Sequence, residues 1–423
     1  MAHEAAAKKK AVTMPTIELT DLTRPEIESA LRDLGVEPYR AGQLFQWIYQ
    51  RGVVDFASMT DLSQDVRLTL AEHFHISTPA IARHDVSEDG TEKFLLLLRD
   101  GRHIESVFIP DLVPRFRNAP TYSGRGIPPR GVALSSNIPD ILGRRALRSG
   151  RRAPDYCDRT SESGHSGSQT FCVSTQVGCA MGCTFCLTAT MGLVRNLTPG
   201  EIVGQVRALA AAVALHGKAF NIVLMGMGEP LHNYGQTMAA LRILCDRKGC
   251  ALPPRRITLS TVGLVPAIER LAAEPLMPNL AISLHAASED VRARLVPSAH
   301  KYSIADILKA CRRLPLKHRD RVTFEYVLLA GINDSDAEAR KLARLLRGLP
   351  VKVNLIPLNP APGIPFERPS DERINQFGRI LSEHDVTVSV RKSRGQDIRA
   401  ACGQLAIAGG RKSPAQRLAD AIE

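Results

Sequence analysis

The sequence predicts an α/β protein in which a partial or complete barrel of parallel strands follows a small helical domain and a β-hairpin. From residue 171 onward, short apolar strands alternate with helix-like stretches, a pattern typical of parallel strands joined by crossover helices. Residues 19–80 have apolar residues at helical spacing, and residues 81–110 contain two apolar runs around a turn. The predicted barrel strands lie in FCVSTQV, FNIVLMGMG, RITLSTVG, NLAISLHA, RVTFEYVLL and VKVNLIPLN, with VTVSVRK as a further strand.

The N-terminal domain is predicted to be helical. Thr23 and Glu26 form a capping-box pattern at a helix start, and residues 39–52 and 63–74 continue with helical periodicity. In the simpler interpretation this is a packed helical cap whose core includes two aromatic residues, Trp47 and Tyr49. The alternative is an RNA-docking module, with three arginines outside the apolar stripe: Arg40, Arg51 and Arg67.

The hairpin is predicted around Asp100 and Gly101, a pair favoured in tight turns. Glu105 lies in its second strand. Most strand carboxylates face water, so Glu105 has no predicted role until another argument selects it.

Residues 111–170 interrupt the pattern. They contain 21 Gly, Pro or Ser, ten Arg, no Lys and five acidic residues, without sustained periodicity. We predict a long basic insertion, either used for RNA contact or tolerated as a surface excursion. Residues 1–18 and 409–423 are predicted to be tails.

Composition limits the classes of function. The 423 residues carry a formal charge of +12, which favours a polyanionic partner. The longest apolar run, residues 208–215, is too short to span a bilayer, and residues 1–12 lack a signal-peptide pattern. We expect a soluble, cytoplasmic protein without membrane contact. Nine cysteines at irregular spacing then indicate metal or thiol chemistry rather than a disulfide framework.

The segment CAMGCTFC contains the strongest signal. Cys179, Cys183 and Cys186 provide three thiolates, whereas structural zinc normally has four protein ligands. A zinc site would need Cys172 or a distant residue as its fourth ligand. Alternatively, three cysteines would hold three irons of a [4Fe–4S] cluster and leave the fourth iron open to a substrate.

With GMGEP (226–230) after it, this cysteine loop resembles that of radical S-adenosylmethionine (SAM) enzymes. Further motifs resemble one family of that superfamily, the bacterial dual-specificity RNA adenine carbon-2 methyltransferases, over nearly the whole chain except the tails and 111–170. The motifs are RAGQLFQWIY, GTEKFLLLL, HIESVFIP, FCVSTQVGCAMGCTFC, GLVRNLTPGEIVGQV, MGMGEPLHN, SLHA, NLIPLNP and VRKSRGQDIRAACGQL.

The resemblance implies a radical SAM partial (βα)6-type barrel over residues 171–408 and a reaction that consumes two SAM per turnover. One SAM methylates Cys402, and a radical from the second removes hydrogen from that methyl group, which then adds to the adenine ring. Cys172 forms a disulfide with Cys402 to free the product, and Glu105 acts as general base. The implied SAM contacts are Gly228, Glu229, Ser260, Ser283, Leu284, His285 and Asn359.

The resemblance also implies the partners. These are 23S rRNA at the peptidyl-transferase centre, tRNA at the adenosine following the anticodon, and a flavodoxin- or ferredoxin-type electron donor. We expect a monomer that grips RNA with the helical domain and with basic residues 391–394, and that splays the adenine out of its stack. Cys157, Cys245, Cys250 and Cys311 match no motif.

Two alternatives stay open at this point. The related carbon-8 methyltransferases share the cysteines, but Pro230 favours carbon 2. A non-catalytic RNA-binding protein with a structural metal is the other alternative. The insertion 111–170 separates Glu105 from Cys172, so their convergence is a prediction that depends on the fold.

Overall fold

The structure is a computed structural model that describes residues 16–110, 169–215, 219–318 and 320–406. Its N-terminal part is helical, as predicted, with α1 (Arg24–Asp33), α2 (Arg40–Phe45) and α3 (Gln64–His73). At the start of α1, the Thr23 backbone N–H and hydroxyl donate to the Glu26 carboxylate at 2.7 and 2.6 Å. The predicted capping box is therefore confirmed.

The chain after α2 continues as a wider helical turn over Gln46–Gln50. Trp47 and Tyr49 on this turn are buried, which confirms their prediction as core residues. A short parallel pair, β1 (Ile17–Glu18) with β2 (Phe74–His75), joins the two ends of this domain. The prediction of a tail over residues 1–18 is thus wrong for Ile17 and Glu18, because Glu18 also accepts hydrogen bonds from Ser77. Residues 1–15 lie outside the described residues.

Within the described residues the main sheet has ten strands: seven are joined by parallel pairing, and three more are added at one edge by antiparallel pairing. Its two edge strands are not paired with each other, so the sheet forms an open, partial barrel. From the antiparallel edge the strands are β3 (Ala80–Val86), β4 (Glu92–Leu97), β5 (His103–Ile109), β6 (Thr170–Cys172), β9 (Asn221–Leu224), β10 (Ile257–Thr261), β11 (Asn279–Ser283), β12 (Val322–Leu328), β13 (Val351–Pro357) and β14 (Thr387–Val390).

Helices connect the parallel strands, which confirms the α/β fold class. Crossover helices of this kind pack against a parallel sheet and bury its strands. The helices are α5 (Pro199–Ala212), α6 (Tyr234–Cys245), α7 (Val265–Ala272), α8 (Glu289–Leu295), α9 (Ile304–Arg312), α10 (Asp336–Leu346) and α11 (Asp371–Glu383).

Strand β12 shows how the sheet separates core from site. Phe324 and Tyr326 belong to the main apolar core, where the Tyr326 ring lies 5.3 Å from that of Phe377 on α11. Glu325 and Val327 point to the opposite face, because side chains alternate along a strand, and they line a cavity. The carboxyl ends of the strands therefore surround the candidate site.

The sheet differs from the prediction in two places. The strand predicted over residues 171–177 is divided: β6 joins the main sheet, and β7 (Gln176–Gly178) pairs with β8 (Leu193–Asn196) in a separate ribbon. The hairpin has a third strand, β3, and joins the barrel sheet edge to edge. Most side chains of β3 are exposed to solvent. Its sequence therefore lacks the alternation of apolar and polar residues that predicts a half-buried strand.

Residues 111–168, most of the predicted insertion, lie outside the described residues, as do 407–423 at the C-terminus. Thr170, the last residue assigned to the insertion, already belongs to β6. No helix of the described residues is long and apolar enough to cross a membrane.

Candidate active site

The cysteine loop is held at both ends by the β7–β8 ribbon. Gly178, just before the first cysteine, has a φ of +77°, and the Gly192 carbonyl leaves no room for a Cβ atom. The same carbonyl accepts the Cys179 N–H at 2.9 Å. After the third cysteine, the short helix α4 (Leu187–Thr190) leads into β8. The ribbon thus presents the whole loop at the mouth of the barrel.

Cys179, Cys183 and Cys186 line one cavity, which we call the cluster cavity. Burial raises the pKa of Cys179 to about 12 and also raises the pKa values of Cys183 and Cys186. Neutral thiols are therefore favoured until a positively charged group binds them as thiolates.

The donor set fits a [4Fe–4S] cluster, because cysteine thiolates bind the irons of such clusters. Three half-buried thiols on one loop line one cavity, so they can bind three irons of one cluster.

The predicted SAM residues mostly lie on the same cavity. The cavity wall includes Gly228, Glu229, Ser260, Ser283, His285 and Asn359. Leu284 does not line it: its side chain is fully buried, and its backbone N–H donates to the Glu325 carbonyl at 3.1 Å.

Glu229 is a buried carboxylate at this wall. It accepts backbone N–H groups from Leu231 at 3.0 Å and Val262 at 2.9 Å. Burial nevertheless raises the pKa of Glu229 to about 7. Its ionisation is therefore poised near neutral pH.

His285 is held in one tautomer. Its Nδ1 accepts the Val327 N–H at 3.1 Å, so the proton of the neutral ring is on Nε2. Burial lowers the pKa of His285 to about 3, with a further contribution from Arg292. The ring packs edge to face on Phe185 in the cysteine loop, with 4.8 Å between centroids. His285 is thus a neutral hydrogen-bond donor at the cavity.

The Gly228 backbone is close to the chain around Gln176. A Cβ atom on Gly228 would lie 2.6–2.8 Å from atoms of Gln176, and its φ is +104°. The Gln176 side chain also accepts the Glu229 N–H at 2.9 Å. Close packing against Gln176 is therefore enough to explain the glycine at this position. The SAM contact that the resemblance implies would be a second reason.

Cys172 and Cys402 line a second cavity, which we call the cysteine-pair cavity. Both are free thiols, and burial, followed by the influence of Cys402, raises the pKa of Cys172 to about 12. The segment carrying Cys402 docks on the cysteine loop, since the Gly403 carbonyl accepts the Leu187 N–H at 2.8 Å. Asn359 donates to the Cys402 carbonyl at 3.2 Å. The two cavities share wall residues, among them Cys402, Asn359 and Arg391.

Glu105 lies next to the cysteine-pair cavity but does not line either cavity. Its carboxylate accepts the Ala406 N–H at 2.8 Å and pairs with Lys93 at 3.2 Å. Burial raises its pKa, although Lys93 opposes this effect. Val107, on the same face of β5, pairs with Cys172 on β6. The fold thus brings Glu105 close to the segment that carries Cys172 and to the segment that carries Cys402.

Two charged residues of the cavity wall were not predicted to lie there. Glu325, on an otherwise uncharged strand, is buried and accepts from the Asn354 side chain at 2.8 Å. In the sequence, the signal that could have selected Glu325 is a single charged residue within an otherwise uncharged strand. Arg391, predicted as an RNA contact, lines both cavities and is half-buried.

The arginines of the helical domain are partly engaged within the protein. Arg51 lies over the Trp47 ring at 4.0 Å, and Arg67 donates to the Ala57 carbonyl at 2.5 Å. Arg40 contacts Gln43 at 3.4 Å and remains half-buried. Their predicted role in RNA docking stays a prediction.

Comparison with known families agrees with this site. Residues 173–343 match the radical SAM superfamily, and residues 17–76 match the ribosomal RNA large subunit methyltransferase N-terminal domain. The chain is also similar to a solved radical SAM methyltransferase from Sphaerobacter thermophilus, at 44% identity and a TM-score of 0.75. That similarity covers 92% of this chain and 99% of the other.

Two relatives extend the comparison over most of the sequence. The dual-specificity RNA methyltransferase RlmN of Gluconobacter oxydans is 41% identical over 397 residues, which cover 92% of this chain and 84% of that protein. RlmN of Rhodospirillum rubrum is 42% identical, over 92% of this chain and 80% of that protein. With three cysteines and the expected SAM residues around one cavity, the chain belongs to the RlmN family of radical SAM RNA methyltransferases.

Proposed function

We propose that this enzyme methylates carbon 2 of adenosine, in 23S rRNA at the peptidyl-transferase centre and in tRNA at the adenosine following the anticodon. The methyl group would pass through Cys402. The observation that carries the proposal is the arrangement of the cavities: Cys172 and Cys402 line one cavity, and Cys402 also lines the cavity of the three loop cysteines.

Membership of the radical SAM superfamily implies a [4Fe–4S] cluster and SAM. Cys179, Cys183 and Cys186 would hold the cluster, which supplies the electron that cleaves SAM to a carbon radical. Glu229 and His285 would bind SAM, the first as an acceptor for its amino group and the second as a neutral donor through Nε2. Two SAM molecules would be used per turnover.

Carbon 2 of adenine explains why the two further cysteines are needed. This carbon is electron-poor and is not a nucleophile, so it cannot displace the methyl group of SAM directly. The Cys402 sulfur is a nucleophile and can accept that methyl group. Once this methyl has lost a hydrogen atom, its carbon can bond to carbon 2.

Product release would use Cys172. The adduct would first give up its unpaired electron, which the oxidised cluster would take back, and its ring proton. The Cys172 thiolate would then bond to the Cys402 sulfur, and the sulfur–carbon bond of Cys402 would break with its electron pair left on carbon, which takes a proton to become the methyl group. The described cysteines are all free thiols; the disulfide would form only at this stage of the reaction. Reduction of the disulfide would return the enzyme to its starting form.

Glu105 would remove the proton from carbon 2. Its burial and raised pKa favour proton uptake, and Lys93 keeps the carboxylate available in its ionised form. Contact with Ala406 holds it beside the segment of Cys402.

The partners follow from the same reaction. The charge of +12 suits RNA, and the adenine must leave its stack to reach a site inside the barrel mouth. A flavodoxin- or ferredoxin-type protein would deliver electrons to a monomeric enzyme. Pro230, within GMGEP, favours carbon 2 over carbon 8 as the methylated position.

The test is nucleoside analysis. The protein is reconstituted anaerobically with iron and sulfide, then incubated with SAM, a reductant and either rRNA fragments or tRNA, and digested nucleosides are measured by mass spectrometry. We expect 2-methyladenosine in both RNAs. It should vanish in Cys402→Ala but persist in Cys245→Ala, which changes a half-buried cysteine on α6 outside both cavities.

The outcomes separate the alternatives. Formation of 8-methyladenosine would show that the enzyme belongs with the carbon-8 methyltransferases. Product from only one RNA would restrict the substrate range. Product formation by Cys402→Ala would contradict the methylated-cysteine route.

A further inference from the structure

Arg292 is a buried cation that the proposed reaction does not use. It lies on α8 and is 1% exposed. Its guanidinium donates to the carbonyls of Val262 at 2.6 Å and Tyr302 at 3.3 Å, and its Nε has no hydrogen-bond partner within the described part of the chain. None of the ion pairs formed by the described residues includes it.

A buried charge that forms no ion pair is costly. Transfer of an ion from water to the protein interior costs several kcal/mol unless an opposite charge or a full set of hydrogen bonds compensates. Burial lowers the pKa of Arg292, while Glu289 and Cys183 oppose this effect. An arginine nevertheless remains protonated in proteins. Negative charge nearby would therefore stabilise the folded protein.

The cysteine loop lies next to this charge. Helix α8 ends at Leu295, whose carbonyl accepts the Thr184 N–H from within the loop at 3.0 Å. Leu295 and Val296 pack in the same apolar cluster as the loop residue Phe185, against the cysteines. The same helix therefore carries the guanidinium and supports the loop.

Arg292 is also connected to the SAM wall. The Val262 carbonyl accepts from its guanidinium, and the Val262 N–H donates to the Glu229 carboxylate at 2.9 Å. Arg292 contributes to the lowered pKa of His285 as well. Its charge thus acts on both the cysteine loop and the SAM wall.

We propose that Arg292 is a positioning residue that supplies the counter-charge for the cluster loop and makes reduction of the cluster more favourable. The inference rests on the proposed cluster site. Three thiolates would bring three negative charges to the loop, more than the positive charge of the oxidised cluster core offsets, and reduction would make the site one unit more negative. A fixed cation in a medium of low dielectric constant stabilises the more negative state. The enzyme would then accept an electron from a weaker reductant.

The test measures the reduction potential and needs no RNA. Arg292→Met and Arg292→Gln remove the charge, the first with an apolar chain and the second with an amide that can still donate to Val262. Arg292→Lys keeps the charge, and Arg294→Gln removes an exposed charge from the same helix. Each reconstituted protein is assayed for iron and sulfide and titrated with a reductant while the reduced cluster is followed by electron paramagnetic resonance.

We expect Arg292→Met and Arg292→Gln to lower the equilibrium constant for cluster reduction at least tenfold. For one electron, this corresponds to a midpoint potential that is lower by at least about 59 mV. Arg292→Lys should recover most of the loss, and Arg294→Gln should match the parent protein. Loss of the cluster in both uncharged variants, but not in Arg292→Lys, would also support the need for charge.

Uncharged variants with full iron content and the parent midpoint would overturn the inference and leave the proposed function intact. A parent protein that assembles no cluster under these conditions would overturn both.

Discussion

Ile109 and Thr170 are paired neighbours on antiparallel strands, although residues 110–169 separate them in the chain. The last residue of β5 thus lies beside the first residue of β6. A link between two such ends needs only a few residues. The geometry of the sheet therefore does not require a long connection at this point.

We predict that residues 111–168 can be replaced by a linker of about four residues without loss of the fold. Each halving of the length of a connection lowers the entropic cost of closing it by about 0.6 kcal/mol, so the melting temperature should stay the same or rise. Thermal unfolding, iron content and 2-methyladenosine formation are the measurements.

A Gly/Ser segment of the original length is the matched control, since it separates the effect of length from that of sequence. A lower melting temperature in both variants would show that the segment stabilises the fold. Loss of product from rRNA alone, with the fold intact, would assign the segment to rRNA binding.

Glu105→Gln should abolish product formation but not methylation of Cys402. Removal of a general base typically lowers the rate by about 100-fold or more, whereas methyl transfer from SAM to a thiol involves no proton of the adenine ring. Nucleoside analysis and peptide mass spectrometry of Cys402 measure the two steps separately.

Glu92→Gln is the control for this prediction. Glu92 is a carboxylate on the neighbouring strand β4 that pairs with His84 at 2.7 Å and lines neither cavity. Its variant should keep nearly all activity. Normal turnover by Glu105→Gln would remove the carboxylate from the mechanism.

SAM affinity should rise with pH from about pH 6 to about pH 8. The pKa of Glu229 is raised to about 7 by burial, so the carboxylate is protonated below that pH and ionised above it. The ionised form favours the positively charged SAM, and linkage limits the gain to about tenfold per pH unit. Calorimetric titration of the cluster-loaded protein at several pH values measures the effect.

The pH dependence should disappear in Glu229→Gln and remain in Glu325→Gln, which neutralises another carboxylate of the same cavity. His285 should add nothing, because its pKa of about 3 leaves it neutral across this range. An unchanged affinity across the range in the parent protein would contradict the assignment of Glu229.

Gly228→Ala should destabilise the fold and weaken SAM binding. The new Cβ would overlap Gln176 in a backbone conformation that alanine disfavours, a combination that costs at least about 2 kcal/mol. Gly235→Ala is the matched control on α6, where a Cβ meets no atom within 4 Å. It should be neutral or stabilising, because alanine favours helices. Equal melting temperatures for the two variants would argue against this account.

Much of the fold was predictable from local patterns. The capping box at Thr23 and the turn at Asp100 and Gly101 were recognised because each depends on neighbouring residues, whose chemistry is visible in the sequence. Strand β3 was missed because its exposed side chains show no apolar alternation. The division of β6 from β7 was missed because backbone hydrogen bonds from residues 173–175 to residues 223–227 decide it.

The candidate site, like the fold, was only partly predictable from the sequence. The spacing of the three cysteines, and the family resemblance of the segments around Cys172 and Cys402, selected residues that line two adjoining cavities. Arg292 and Glu325 were not selected, because neither one of four charged residues on α8 nor a single charge on β12 forms a recognisable motif. Their importance depends on what surrounds them after folding.

By itself, the sequence determined the alternation of strands and helices, the cysteine loop and the residue types available for the chemistry. Only the tertiary structure decided that Glu105 lies beside the Cys402 segment, that the hairpin continues the barrel sheet, and that Arg292 is buried without an ion pair to another described residue. The physical reason is that local patterns depend on residues close in the chain, whereas burial, electrostatic field and strand order depend on residues far apart in it.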